Sequence, residues 1–426
     1  MHDLYRIAGT DAGLTPKQIR EALLASLEGR SPKKVLILPP DFTRLHSGAG
    51  FITNFYYHEL KRRGAQVDIL PALGTHMPVS CAGWETMFGD IPYEEMLVHN
   101  WRTDVVPLGE IPGDYIREIT DGLWSDPVCA QISRRVMDPA YDLIISPGQV
   151  VPHEVCGMSN HAKNLFVGVG GSEMINKSHM IGAVYGMERM MGREDTPVRR
   201  LFDYGMTHFL RDLPILFVLT VCTSPGGAAR MHGLFLGEGR ACFTAAVKLA
   251  QEKNIDFVPR GLEKCVVYLD PAEFQSTWVG NKAIYRTRMA MADGGELLIL
   301  APGVDRFGED GDMDRLIRRY GYRGRLHILE QFRNPGNREL RENMGAAAHL
   351  IHDSADGRFS VTYAVKKIPT EEIESVGFRA AAYDEAVKKY DPAKLRYGYN
   401  TIDGEEIFFI PDPALGLWID RTRFGG

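Results

Sequence analysis

The sequence predicts two α/β domains, each with a largely parallel sheet flanked by helices. The chain has 426 residues, of which 44% are hydrophobic and 24% charged, so it is long enough to bury two cores. Strand and helix patterns alternate through the first half, and a second alternating series begins after Asp256. We therefore predict domains over residues 1–260 and 261–400, with the tail 401–426 returning to the first domain.

The first domain opens with a strand–helix–strand unit. Val35–Leu38 is a short apolar run before two prolines, Gly50–Arg63 has apolar residues at helical spacing, and Val67–Leu70 is the next strand. Tyr141–Ile145 adds another apolar strand. Strand–helix–strand connections of this length indicate parallel pairing.

The pattern changes after residue 214. Ile215–Val221 and His232–Leu236 flank a Pro225-Gly226-Gly227 turn, which predicts an antiparallel hairpin at the sheet edge. Ala241–Glu252 then follows as an amphipathic helix.

The second domain repeats the alternation. Cys265–Leu269 and Glu296–Leu300 are apolar runs of strand length. Lys282–Ala292 between them is predicted to be a helix that ends before Gly294-Gly295.

Composition excludes several classes of protein. The net charge of −6 argues against a general nucleic-acid binder, and no run of about 18 apolar residues predicts a membrane span. The six cysteines include no C-x-x-C pair and do not indicate a disulfide framework. The polar N-terminus shows no signal peptide, so a cytoplasmic location is expected.

Polar residues follow the strands of the predicted first sheet, where α/β proteins bind ligands. Asp41 and Arg44 follow the first strand, His76 follows the second, and His153 follows the Tyr141–Ile145 strand. The arginine and a helix N-terminus can bind an anion, and the histidines can act as bases or metal ligands. Equally, Asp41 can be a helix cap and each histidine a structural loop residue.

Residues 147–180 combine one central lysine with three histidines and several glycines. Lys163 is either a desolvated nucleophile or an ordinary surface lysine. A phosphate cradle is the second hypothesis for this stretch, and its candidate residues are Gly168, Gly170, Gly171 and Ser172.

The combined pattern resembles the nickel-pincer lactate racemase family. His153 is followed by Lys163 ten residues later and by His179 sixteen residues further on. Asp41-x-x-Arg44 and Gly74-Thr75-His76 precede them in the order that the family shows. The resemblance extends over nearly the whole chain and is strongest from residue 35 to 180.

This resemblance implies a cofactor, the nickel-bound pyridinium-3-thioamide-5-thiocarboxylic acid mononucleotide. Lys163 would be joined to it covalently, His179 would bind Ni(II), and Asp41 and the Gly168–Ser172 segment would complete its pocket. Enzymes that make the cofactor would be partners of the chain.

The resemblance also implies an isomerase that inverts C2 of a 2-hydroxy acid by reversible hydride transfer in a cleft between the domains. His76 and His153 would be the paired acid and base, and Arg44 would bind the substrate carboxylate. Neither a nucleic acid nor a membrane is expected as a partner.

Two departures from the family pattern concern the substrate. Asn160 and His161 stand where lactate-type members have two glycines before the lysine. In the second domain Tyr285 is kept, whereas Arg286 replaces a glutamine and Met289 a lysine.

We therefore expect Tyr285, Arg286 and Lys282 to contact a larger or more polar acid, such as gluconate, and Arg288 to face solvent. Two alternatives remain open from the residues: a zinc hydrolase whose ligands are His76, His153 and His179, and a non-catalytic protein that binds a small acid or nucleotide.

Overall fold

The computed structural model describes residues 3–224, 229–414 and 416–424. It contains two compact units, Met1–Ile181 with Met190–Asn254, and Gly182–Arg189 with Ile255–Gly426. Each unit is built around a mainly parallel sheet flanked by helices, which confirms the predicted α/β class.

Strands and helices alternate over much of the chain up to residue 254, but β5 to β8 follow one another without a helix between them. The strands are β1 (Leu4–Ile7), β2 (Lys34–Ile37), β3 (Gln66–Ile69), β4 (Val105–Ile111), β5 (Val128–Ser133), β6 (Leu143–Gln149), β7 (Pro152–His153), β8 (Gly157–Met158), β9 (Ile215–Thr223) and β10 (Arg230–Gly237). The helices are α1 (Pro16–Ala25), α2 (Ala49–Arg62), α3 (Cys81–Phe88), α4 (Gly113–Ile119), α5 (Ser172–Tyr185), α6 (Pro197–Phe209) and α7 (Arg240–Asn254).

The first sheet has the strand order β1-β10-β9-β6-β2-β3. Strand β2 lies between β3 and β6 and pairs parallel with both, and β6 pairs parallel with β9. The segments that leave β2, β3 and β6 therefore emerge at one edge. Strand β6 continues past the predicted end at Ile145, because Ser146–Gln149 keep pairing with β9.

The predicted hairpin is present, but it does not form the sheet edge. Strands β9 and β10 pair antiparallel, and β1 adds to the outer side of β10 through the register Leu4↔Leu236. The edge prediction was wrong because a short N-terminal strand covers β10. The predicted Pro225-Gly226-Gly227 turn lies outside the described residues.

The second unit holds the remaining elements. Its strands are β11 (Asp256–Val258), β12 (Leu262–Tyr268), β13 (Met291–Ala301), β14 (Ser360–Val365), β15 (Arg379–Ala382), β16 (Gly398–Ile402), β17 (Glu405–Ile410) and β18 (Trp418–Asp420). Its helices are α8 (Thr277–Gly280), α9 (Lys282–Thr287), α10 (Gly311–Tyr320), α11 (Arg325–Arg333), α12 (Arg338–Glu342), α13 (Met344–His352), α14 (Thr370–Ser375), α15 (Tyr383–Lys389) and α16 (Arg421–Phe424).

The second sheet has the order β15-β14-β13-β12-β17-β16 and is parallel except for the β16–β17 hairpin. The tail was expected to return to the first domain. Instead, β17 pairs with β12, and β18 pairs with β11, so the tail completes the second unit. No helix among the described residues is long and apolar enough to span a membrane.

The helix that begins at Lys282 is shorter than predicted. It ends at Thr287, and β13 starts at Met291 with Gly294-Gly295 inside it. A Cβ at Gly295 would lie 2.9 Å from the carbonyl oxygen of Leu262, so the glycine permits close strand contact rather than ending a helix.

Arg288, expected to face solvent, is buried. Its Nε donates to Glu188 at 2.8 Å, and its Nη1 donates to the carbonyl oxygens of His352 and Ser354 at 3.0 and 3.1 Å. Burial alone would raise the pKa of Glu188, but the cations of Arg288 and Arg358 hold that pKa below its ordinary value.

Arg288→Met should lower the free energy of unfolding by about 3 kcal/mol, because it removes the donor to two buried carbonyls and a partner of Glu188. Urea denaturation followed by fluorescence measures the change. The control Arg315→Met removes only exposed ion pairs with Asp312 and Glu339 and should change the midpoint little. Equal effects of the two variants would contradict this assignment.

Candidate active site

A cavity of about 200 Å³ opens in the first unit at the carboxyl edge of its parallel strands. Predicted site residues converge on it from five separate segments. Those lining the cavity are Asp41, Arg44, His76, His153, Lys163, Gly168 and His179.

The Asp41 carboxylate holds His76 in one orientation. Asp41 caps a 3₁₀ turn, Phe42–Ser47, and its Oδ1 accepts from the backbone N and Oγ1 of Thr43 at 2.8 and 2.5 Å. Its Oδ2 lies 2.6 Å from Nδ1 of His76. Burial opposes ionisation of Asp41, but the hydrogen bonds from His76 and Thr43 hold its pKa below the ordinary value. With Nδ1 bound to the carboxylate, Nε2 of His76 keeps a lone pair.

Arg44 supplies an uncommitted positive charge. It is exposed on the turn that Asp41 caps and lines the cavity. Its guanidinium has no hydrogen-bond or ion-pair partner in the part of the chain that the structure describes. An arginine held in this way can bind a carboxylate through two parallel hydrogen bonds.

His153 is buried. It is the last residue of β7, which pairs with β8 in a hairpin whose strands have two residues each. Its Nδ1 accepts from the backbone N of Val155 at 3.1 Å, so the neutral ring carries its proton on Nε2. Burial lowers the pKa of His153 well below the ordinary value, and the nearby cations Lys163 and Arg44 lower it further. Glu154, whose Oε2 lies 3.6 Å from Nδ1, opposes that shift.

Lys163 is half-buried and lines the cavity. Its ammonium has no hydrogen-bond or ion-pair partner among the described residues, and burial lowers its pKa below the ordinary lysine value. Neutral amine is the nucleophilic form of lysine, so this environment favours covalent chemistry at Nζ. The alternative of a surface lysine is therefore not supported.

His179 projects into the cavity from helix α5. Its Nδ1 donates to the carbonyl oxygen of Ile175, one turn earlier, at 2.6 Å. Burial lowers the pKa of His179, which keeps the ring neutral. Nε2 is thus left with a lone pair, and a backbone hydrogen bond on the opposite nitrogen is the usual support of a metal-binding histidine.

Of the four residues proposed as a phosphate cradle, only Gly168 lines the cavity. Its carbonyl oxygen accepts from Gly74 N at 2.8 Å, and a Cβ there would lie 2.7 Å from that of Ala72. Gly170, Gly171 and Ser172 lie outside the lining.

Close packing accounts for the two outlying glycines. A Cβ would lie 1.8 Å from the carbonyl oxygen of Phe166 at Gly170, and 2.3 Å from Oε1 of Gln131 at Gly171.

The residues expected to contact substrate from the second domain lie in the second unit. Arg286 is buried there, and its Nη1 donates to the carbonyl oxygen of Gly416 at 2.7 Å. Lys282 lies 3.6 Å from Glu273, and Tyr285 precedes Arg286 on helix α9. A role for these three residues in substrate binding stays a prediction.

Sequence reasoning assigned no site role to several polar residues that line the cavity, among them Thr43, Gln149, Glu154, Ser159, Asn160 and Asn164. Gln149 is the last residue of β6, and Glu154 directly follows His153. Because ligands bind at the ends of parallel strands, a search for polar residues at those positions would have found both. The others depend on the local fold of the loops.

The donor set fits a metal that brings most of its own ligands. Among the described residues, no group of three or more His, Cys, Asp and Glu side chains can hold a metal ion. The zinc site proposed from His76, His153 and His179 is therefore not assembled. His179 offers one imidazole nitrogen to the cavity that Lys163 also lines, which suits a covalently attached cofactor carrying its own metal ligands.

Part of the chain matches a known protein family, and solved structures resemble its fold. Residues 17–191 match the lactate racemase N-terminal domain family. A crystal structure of a Thermotoga maritima protein is similar over 96% of this chain and 98% of its own, with a TM-score of 0.77 and 22% identity. The lactate racemase apoprotein from Thermoanaerobacterium thermosaccharolyticum is similar over 93% of this chain and 88% of its own, with a TM-score of 0.70 and 17% identity.

At these identities the structural likeness establishes a shared fold. A search of curated proteins finds no match for the chain.

The buried His153 should make the protein less stable in mild acid. Because its pKa is lowered on folding, the unfolded chain binds a proton first, near pH 6.5, and stability falls as the pH drops below that value. In His153→Gln the loss of unfolding free energy between pH 7 and 5 should be smaller by about 1 kcal/mol. Urea denaturation at each pH measures it.

The exposed His208 provides the control, since His208→Gln should keep the pH dependence of the parent. An unchanged slope in His153→Gln would show that His153 accepts a proton in the folded state as easily as in the unfolded chain.

Proposed function

We propose that this chain, whose residues 17–191 match the lactate racemase N-terminal domain family, is a racemase or epimerase that inverts C2 of a 2-hydroxy acid. One observation carries the proposal: three imidazoles, an uncommitted arginine and a half-buried lysine line a single cavity in the first unit. These groups match the needs of the reaction, which are a carboxylate anchor, proton acceptors and donors, and an attachment point for a cofactor.

The cofactor in this proposal is the nickel-pincer nucleotide. Lys163 would hold it covalently, His179 would bind its nickel, and Asp41 and Gly168 lie beside that position. The cofactor, when bound, supplies a hydride acceptor, so that C2 can lose its hydrogen without forming a carbanion. Enzymes that make this nucleotide are the partners that the proposal requires.

The chain's own residues orient the acid and move its hydroxyl proton. The guanidinium of Arg44 binds the carboxylate through two parallel hydrogen bonds. Nε2 of His76 accepts the hydroxyl proton of one epimer, and the Asp41 carboxylate 2.6 Å from Nδ1 stabilises the resulting imidazolium. Neutral His153 donates a hydrogen bond from Nε2–H to the same substrate oxygen, and the proton held on Nε2 of His76 returns to that oxygen when the opposite configuration forms.

The polar lining favours a hydroxylated substrate over lactate. Gln149, Glu154, Ser159 and Asn160 add amide, carboxylate and hydroxyl groups to the cavity, where a methyl group would gain nothing from them. We propose a sugar acid such as gluconate as the substrate class, with lactate a poor substrate.

A substrate panel run in D₂O with the cofactor-loaded protein tests the activity. Inversion should be fastest with a polyhydroxylated 2-hydroxy acid, and the product should retain hydrogen at C2, because hydride transfer does not exchange with solvent. Chiral chromatography and mass spectrometry measure both. Solvent deuterium at C2 would overturn the hydride mechanism, and fastest turnover of lactate would overturn the sugar-acid proposal.

Arg44→Gln should reduce kcat/KM about 10- to 100-fold, since it removes a charge-assisted contact to the carboxylate. Arg44→Lys, which keeps the charge without the fork, should lie between the two.

His76→Gln should lower kcat about 100-fold or more while substrate binding, measured by calorimetry, persists. Wild-type kcat in His76→Gln would remove that residue from the mechanism, and equal KM in all three Arg44 proteins would remove Arg44.

A further inference from the structure

Asn160 and His161, just before Lys163, form a backbone corner whose conformation is unfavourable. Asn160 and His161 have φ values of 65° and 56°, in the left-handed region that glycine adopts freely. For residues with a side chain this conformation is disfavoured, because Cβ comes close to the backbone. Two such residues in succession persist only where surrounding contacts hold them.

Contacts of the Asn160 and His161 side chains account for part of the stability of this corner. The His161 ring lies against Phe217, with centroids 3.9 Å apart, and its Nε2 lies 3.3 Å from the carbonyl oxygen of Gly239. The amide of Asn160 occupies space that a Cβ at Gly148 would fill, since that atom would lie 1.9 Å from Nδ2.

Arg199 holds the backbone of the same corner. Its side chain is fully buried on helix α6, and Nη2 donates to the carbonyl oxygen of Met158 at 2.6 Å. Both terminal nitrogens lie 3.3 Å from the carbonyl oxygen of Asn160. The guanidinium also stacks over the ring of Phe243, 4.2 Å from its centroid.

The Asn160 carbonyl links Arg199 to Lys163. That oxygen also accepts from the backbone N of Lys163 at 3.3 Å, and the next residue, Asn164, donates to the carbonyl oxygen of His161 at 2.9 Å. Movement of the Asn160 carbonyl would therefore move the first turn of the segment that carries Lys163.

We propose that Arg199 is a positioning residue that fixes the Asn160–His161 corner and thereby sets where the Lys163 amine enters the cavity. What the amine does there rests on the proposed function, whereas its position does not. Arg199 suits this task because a fork of N–H groups reaches two carbonyl oxygens at once, which a lysine ammonium on a flexible stem does not hold in fixed geometry.

The test measures the Lys163 amine in the unloaded chain. Acetic anhydride labelling followed by mass spectrometry gives the labelling midpoint of Lys163 between pH 7 and 11, with Lys177 as the internal reference. In Arg199→Met the midpoint should rise by about one pH unit, because a released Lys163 reaches water. Arg200→Met, the exposed neighbour paired with Asp195, should keep the wild-type midpoint.

A glycine background separates positioning from simple filling of the core. In the Asn160→Gly, His161→Gly double variant the corner has no side-chain strain, so Arg199→Met should shift the midpoint by less than half as much. A folded Arg199→Met with the wild-type midpoint, or an equal shift in both backgrounds, would overturn the proposal.

If Arg199→Met does not fold, the labelling midpoint of Lys163 is measured for Arg199→Lys in the same two backgrounds and judged by the same criteria. Because no cofactor takes part, failure of the proposed racemase activity would leave this readout intact.

Discussion

The parallel pairing of β2 with β3 and β6 is the constraint on which the candidate site depends. It sends the chain out of all three strands at one edge, so Asp41, His76 and His153 lie around one cavity although they are far apart in sequence. The bridge between Pro40 and Ala72 extends the β2–β3 pairing up to the cavity. Antiparallel pairing of either neighbour would carry one of these residues to the opposite edge.

Backbone and carboxylate contacts then decide what each imidazole offers. Nδ1 is engaged in all three histidines of the cavity, by Asp41 at His76, by the Val155 N–H at His153 and by the Ile175 carbonyl at His179. The Asp41 carboxylate and the Ile175 carbonyl accept a hydrogen bond from Nδ1, whereas the Val155 N–H donates one to it. His76 and His179 therefore present a lone pair at Nε2, whereas neutral His153 presents an N–H. Three residues of one type thus differ in what their second ring nitrogen, Nε2, offers to the cavity.

Much of this arrangement was predictable, because it follows from local patterns and one topological rule. Apolar runs mark the strands, and residues directly after parallel strands meet at one edge, which placed Asp41, His76 and His153. The burial of Arg288 was not predictable, since its partner Glu188 lies 100 positions away in the chain. The left-handed corner before Lys163 was likewise hidden, because the contacts that hold it come from α6, β9 and α7.

Intact-protein mass combined with metal analysis tests the proposal that this cavity holds a nickel cofactor on Lys163. The chain is co-expressed with the cofactor-making enzymes and nickel, beside Lys163→Arg, His179→Gln and the control Lys177→Arg. We expect a covalent adduct on the Lys163 peptide with one nickel per chain, lost in Lys163→Arg and kept in Lys177→Arg. In His179→Gln the adduct should persist with less nickel. An unmodified wild-type chain, or an adduct on another residue, would contradict the account.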